Sequence, residues 1–140
     1  MSLRPNVIPW TFFNSSSVAL TNIAQDGDLI VSDAIPQGHR GYLRDVNTIF
    51  TTSGGTIAYE RISTSGGRTR FAANITANSN GSFDLVLGAG DKLAIVVTTT
   101  GSGVVDLTWD GELQELPFPS KRFDEPFVID EIGVGAGGGL

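Results

Sequence analysis

The run SFDLVLGAGDKLAIVVTTTGSGVVDLTWDG, from Ser82 to Gly111, restricts the fold more than any other part of the chain. Phe83, Leu85 and Leu87 alternate with Ser82, Asp84, Val86 and Gly88, the period of two that a strand shows when one face meets a core. Gly88-Ala89-Gly90-Asp91 forms a turn, and Lys92 to Thr100 continues as a longer strand with Leu93, Ile95 and Val97 on one face. Ala94 and Val96, with Val104 after them, make the opposite face apolar as well, more than one sandwich interior hides, which predicts cover on both sides and an oligomer, a trimer being the expected form. Thr100-Gly101-Ser102-Gly103 tolerates the dihedrals of a tight turn, after which Val105, Leu107 and Trp109 resume the alternation. The pattern predicts three antiparallel strands as a meander in the middle of a β-sandwich.

The remaining segments fit the same architecture. Val18, Leu20 and Asn22 alternate with Ala19, Thr21 and Ile23, and an Asp-Gly turn at Gln25 to Asp28 precedes a short strand from Leu29 to Val31. A long strand runs from Tyr42 to Thr52, with Val46, Thr48 and Phe50 on one face and Leu43, Asn47 and Ile49 on the other. Further strands span Thr56 to Ser63 and Arg68 to Thr76, separated by Ser65-Gly66-Gly67. No segment requires a helix, and 140 residues suit one domain with a real core. The expected fold is all-β, an antiparallel, jelly-roll-like β-sandwich of about eight strands over residues 17–116, with extended N- and C-terminal arms over 1–16 and 117–140. Phe50, Phe71, Phe83, Leu85, Leu93, Ile95, Val97, Val105 and Leu107 form its expected core.

The residues argue against chemistry. Fifteen acidic side chains against nine basic ones give a net charge of -6, the wrong sign for a general nucleic-acid binder or for an anionic membrane. Without cysteine there are no disulfides, no thiol nucleophile and no thiolate metal site. Asp26, Asp28 and Asp33 lack the ordered ligand positions and the closing Glu of a calcium loop, so turn chemistry accounts for them and no metal is expected. His39 stands in a loop with no nucleophile elbow elsewhere, and a backbone or solvent contact is its expected role. Glu112 and Glu115 suggest no cleft of the kind that paired glycosidase carboxylates require. The glycine pattern from Gly133 to Gly138 matches a dinucleotide fingerprint without the helix that would hold a pyrophosphate. Neither a catalytic residue nor a cofactor is expected. Arg61, Arg68 and Arg70 make a small basic spot, either solvated or paired with a partner's carboxylates.

The arms carry the expected partner-binding residues. Trp10, Phe12 and Phe13 are too apolar for a free N-terminal tail and either pack on the sandwich or meet a neighbouring subunit. Pro117, Phe118, Phe123, Phe127 and Ile129 give the C-terminal arm an extended backbone with spaced apolar anchors. Asp124, Glu125, Asp130 and Glu131 among them suit a basic partner surface. Fully stretched, this arm spans up to about 80 Å, so it is expected to reach another chain; folding back on its own body is the alternative.

An aromatic N-terminal arm, a body running from GHRGYLRDVNTIFTTSGG through LVLGAGDKLAIVVTTTGSG, and a Pro-aromatic C-terminal arm together resemble the small β-sandwich proteins that decorate and cement tailed-bacteriophage capsids. The Leu87 to Ile95 element is also similar to a turn and strand of trimeric jelly rolls, including phage fibre heads. The resemblance implies a homotrimer bound to the major capsid protein, located on the virion surface, made in the host cytoplasm and without a cofactor. A receptor- or carbohydrate-binding module of a phage fibre or baseplate is the alternative, with Trp109, Asp110, Asn78 and Asn80 as its nearest approach to a glycan site.

Overall fold

The computed structural model of the protein describes residues 7–116. Eight strands follow one another: β1 (Val7–Ala19), β2 (Gly27–Val31), β3 (His39–Thr52), β4 (Thr56–Ile62), β5 (Arg68–Ile75), β6 (Ser79–Leu87), β7 (Lys92–Thr99) and β8 (Val104–Glu115). They form two four-stranded sheets, ordered β1-β8-β3-β6 and β2-β7-β4-β5, with antiparallel pairing throughout. The expected all-β sandwich is therefore present, and its strand order is that of a jelly roll.

The expected meander is not. β6 and β8 lie in one sheet and β7 in the other, so the turns after Leu87 and Thr99 carry the chain across the sandwich. Local alternation cannot distinguish these arrangements, because a strand shows the same period whether its sequence neighbour lies beside it or opposite it. The crossing turns are held from outside. Gly90 N–H donates to the Ile35 carbonyl at 2.8 Å and Ile35 N–H donates to the Asp91 carbonyl at 2.9 Å, while Gly103 N–H donates to the Gly54 carbonyl at 2.8 Å.

The sandwich also starts earlier than residue 17. β1 pairs with β8 from Val7↔Gln114 to Ala19↔Val104, which makes residues 7–16 part of the sheet and not an arm. A bulge lies at the expected start of the sandwich, between the Ser15↔Leu107 and Val18↔Val105 pairs. Ser17 takes φ 55° at the bulge and its N–H donates to the Asp106 carboxylate at 2.8 Å, so the extra residue is satisfied without ending the strand.

Two more bulges shift the inward-facing phase. One lies between Thr11 and Phe13 on β1, the other between Leu43 and Asp45 on β3. Phe12 and Phe13 are consequently both buried, and Leu43 joins Val46 and Thr48 inside although simple alternation sets it on the opposite face. Of the expected core, Leu93, Ile95, Val97, Val105 and Leu107 are fully enclosed, whereas Phe50, Phe71, Phe83 and Leu85 are half-buried at its margin.

At the centre, Thr48 Oγ1 accepts hydrogen bonds from Tyr59 Oη at 2.8 Å and Trp109 Nε1 at 3.1 Å. The Trp109 ring meets Tyr59 edge-on at 4.5 Å and Phe13 at 5.1 Å. Tyr59 comes from one sheet and Thr48, Trp109 and Phe13 from the other, so this polar and aromatic cluster ties the two sheets together. Burial pushes the Tyr59 hydroxyl pKa above its ordinary value.

Candidate interaction surface

The residues expected to bind a partner are placed differently from one another. Phe12 and Phe13 are 6% and 3% exposed and belong to the protein's own core, so packing on the sandwich is their role and contact with a neighbour is not. Trp10 is half-buried against the same core, and its Nε1 has no hydrogen-bond partner among the described residues. Pro117, Phe118, Phe123, Phe127 and Ile129 lie outside the described residues.

The outer face of the β2-β7-β4-β5 sheet answers the question raised by Ala94 and Val96. Both are buried within one chain, as is Ala58. Arg68 on β5 makes a two-pronged ion pair with Asp28 on β2, each bond 2.8 Å. Since β5 and β2 are the two edges of the sheet, the guanidinium reaches across β4 and β7 to make this contact. Alanines at 58 and 94 leave room for such a side chain, whose aliphatic stem can cover apolar surface. Glu60, only 7% exposed, is held by Arg70 at 2.8 Å and by Arg68 at 3.2 Å. Arg61 stands 3.9 Å from Asp91. The three arginines thus find their carboxylates in their own chain, and the cover expected from a second subunit over Ala94 and Val96 is supplied internally.

Hydrogen bonding from Arg68 holds the Asp28 carboxyl below its ordinary pKa, against a smaller opposing effect of burial. A carboxyl whose folded-state pKa is depressed contributes stability above its unfolded value, near pH 4, and loses it as pH falls through the folded value. Asp28 and Arg68 are both more than a third exposed at the side chain or close to it, so solvent screening limits the effect to a few tenths of a kcal/mol. Asp28→Asn is therefore expected to melt slightly below the parent at pH 7, with the gap closing below about pH 4; melting curves at both pH values check this, and a gap that widens in acid would contradict it.

The outer face of the β1-β8-β3-β6 sheet is different. Arg44 donates to Glu112 at 3.0 Å and to Asp84 at 3.2 Å, and its guanidinium lies 4.8 Å from the centre of the Tyr42 ring. Tyr42 Oη donates to Gln114 at 2.8 Å. Beside this network an open groove of about 370 Å³ runs between the start of β1 and the paired strands β3 and β8. Val7, Ile8 and Pro9 line it from β1, and Arg44, Asp45, Asp110 and Glu112 from β3 and β8. Val7 is 52% and Ile8 47% exposed, two of the four large hydrophobic residues that stand out from the described surface.

The other candidates settle simply. His39 Nδ1 lies 3.0 Å from the Gln37 carbonyl oxygen, the backbone contact expected of a loop histidine. Trp109 is wholly buried, which removes the stacking platform from the suggested glycan site, and Asn78 Oδ1 accepts the Phe50 N–H at 2.8 Å. Asp26 occupies a turn at φ 65°, a left-handed conformation that aspartate tolerates. No cluster of three or more His, Cys, Asp or Glu with metal-binding geometry occurs among the described residues.

No protein-family model matches the sequence, and no curated protein does. Solved structures do match. A chain of the infectious bursal disease virus Gx strain structure aligns with 81% of this chain at TM-score 0.54 and 14% identity. The Gt strain of the same virus aligns with 84% at TM-score 0.51 and 16% identity, and its T=1 particle structure with 84% at TM-score 0.50 and 16% identity. The alignments cover 32%, 35% and 34% of those longer chains. The protein therefore shares the fold of a β-sandwich found in these virus structures, and corresponds in extent to about a third of each of those viral chains.

Proposed function

We propose that the protein is a structural component of a virus particle, decorating a tailed-bacteriophage capsid by binding the major capsid protein as a homotrimer. In this reading it is made in the host cytoplasm, sits on the outside of the virion and requires no cofactor. The observation that supports it most is the eight-stranded jelly roll itself, aligned over 81% of the chain with a virus structure. The described surface agrees with a binding role in leaving apolar side chains exposed at Val7, Ile8, Val31 and Val86. Ala94 and Val96 no longer argue for a trimer, so self-association rests on these four side chains and on the arm residues. Multi-angle light scattering together with co-sedimentation on purified phage shells tests the reading. A trimer that pellets with shells and saturates at a fixed ratio is the expected result; a monomer at micromolar concentration that stays in the supernatant would overturn it.

A further inference from the structure

The groove beside β1 contains a local conflict. Asp45 on β3 and Asp110 on β8 are direct cross-strand partners. Their neighbours Val46 and Trp109, paired next in the ladder, point into the core, so both aspartates point outward on the same face. Cross-strand partners hold their Cβ atoms about 5 Å apart, and like charges at that spacing destabilise a sheet. Among the described residues neither carboxylate has a cationic partner: Arg44 is engaged by Glu112 and Asp84, and Asp110 receives only a 3.4 Å contact from the Thr11 hydroxyl. Glu112 lines the same groove together with Arg44, which pairs with it at 3.0 Å, so the two aspartates are the carboxylates left without a cation there. On the same outer face, paired with Gln114 and Glu112 of β8, stand Val7, about half exposed, and Pro9, on a strand at the edge of its sheet.

We propose that this groove is a docking site for an extended basic segment of a partner protein, in which a Lys or Arg sits between Asp45 and Asp110 while a flanking aliphatic side chain rests on Val7 and Pro9. A cation there turns a repulsion into two attractions, and the two apolar side chains lose their contact with water at the same time. Positions where a sequence departs from the locally stabilising choice are the ones at which a binding role is expected. The inference deepens the capsid reading by naming the surface and the chemistry of its partner, and depends on that reading only for where the segment comes from.

The test uses the full chain and two synthetic peptides, acetylated and amidated Val-Lys-Val-Arg-Val and its Val-Glu-Val-Glu-Val counterpart, followed by NMR titration. The basic peptide is expected to shift resonances of residues 7–9, 44–45 and 110–112, and the acidic one to leave them in place. Asp110→Lys should weaken binding at least tenfold, while Asp33→Lys, an exposed loop position with the same change in net charge, should leave it within twofold. Because Asp110→Lys removes the repulsion, its melting temperature should equal or exceed the parent's, which separates lost binding from lost folding; should it fail to fold, Asp110→Asn takes its place. Equal weakening by both lysine variants, equal binding of both peptides, or no binding to the parent protein would each overturn the proposal. Shell co-sedimentation is read separately, so a protein that binds the basic peptide but not shells would refute the capsid reading and leave the groove standing.

Discussion

Trp109→Ala is expected to destabilise the protein by about 3 to 5 kcal/mol, a large share of the roughly 5 to 15 kcal/mol that holds a domain of this size together. The ring is fully buried and packs against Phe13 and Tyr59, so its removal empties the space where the two sheets meet. Thr48→Val separates the polar part of the effect from the packing part. It preserves shape but leaves Trp109 Nε1 a buried donor without an acceptor, at about 1 to 3 kcal/mol, while Tyr59 Oη keeps only its interaction with the Ser79 hydroxyl. Urea unfolding followed by Trp fluorescence measures both variants. A Thr48→Val midpoint equal to the parent's would show that the hydroxyl is not the bridge between the sheets.

Gly111→Ala has the second large effect, for a different reason. Gly111 lies where both flanking strands bulge: it pairs with Trp10 just before the β1 bulge and with Leu43 just before the β3 bulge. The two irregular neighbours close in on it. An added Cβ would collide with the Tyr42 carbonyl oxygen and stand 2.9 Å from Phe12 Cε2. The first is backbone in the β3–β8 ladder and cannot move without breaking hydrogen bonds, and the second belongs to a buried ring. The expected loss is about 3 kcal/mol or more, at or above the upper end for overpacking because the obstacle is main chain. Gly81→Ala provides the comparison, since an added Cβ there meets only Phe83 Cε1 at 4.0 Å. Similar midpoints for the two variants in the same urea series would remove the close approach at Gly111 from the account.

The strands were legible in the sequence because alternation is a local property. The strands expected from Leu29 onward have counterparts, whereas the alternation from Val18 to Ile23 coincides with β1 only at Val18 and Ala19 before a turn at Thr21 and Asn22; the five aliphatic residues expected on the inner faces of β7 and β8 are enclosed. Sheet membership was not legible, since nothing local tells a hairpin from a crossing. Bulges hid the rest. Read from sequence, the sandwich begins at Ser17, where β1 bulges, although the strand runs from Val7 and buries Phe12 and Phe13. At Leu43 a bulge reversed the face assignment of half a strand. The arginine network was half visible: the clustering of Arg61, Arg68 and Arg70 could be read, but their partners Asp28, Glu60 and Asp91 are brought close only by the folding of β2, β4 and the β6–β7 crossing. The groove gave no sequence signal at all, because Asp45 and Asp110 are distant along the chain and become neighbours only through the β3–β8 register.

Electron cryo-microscopy of phage shells, imaged with and without saturating protein, tests the central claim most directly. The expected result is added density on the outer surface of the shell at symmetry-related positions, three copies to a cluster, into which the β1-β8-β3-β6 and β2-β7-β4-β5 sandwich fits as a rigid body. Identical maps from the two samples, at protein concentrations well above that of the shell subunits, would contradict it.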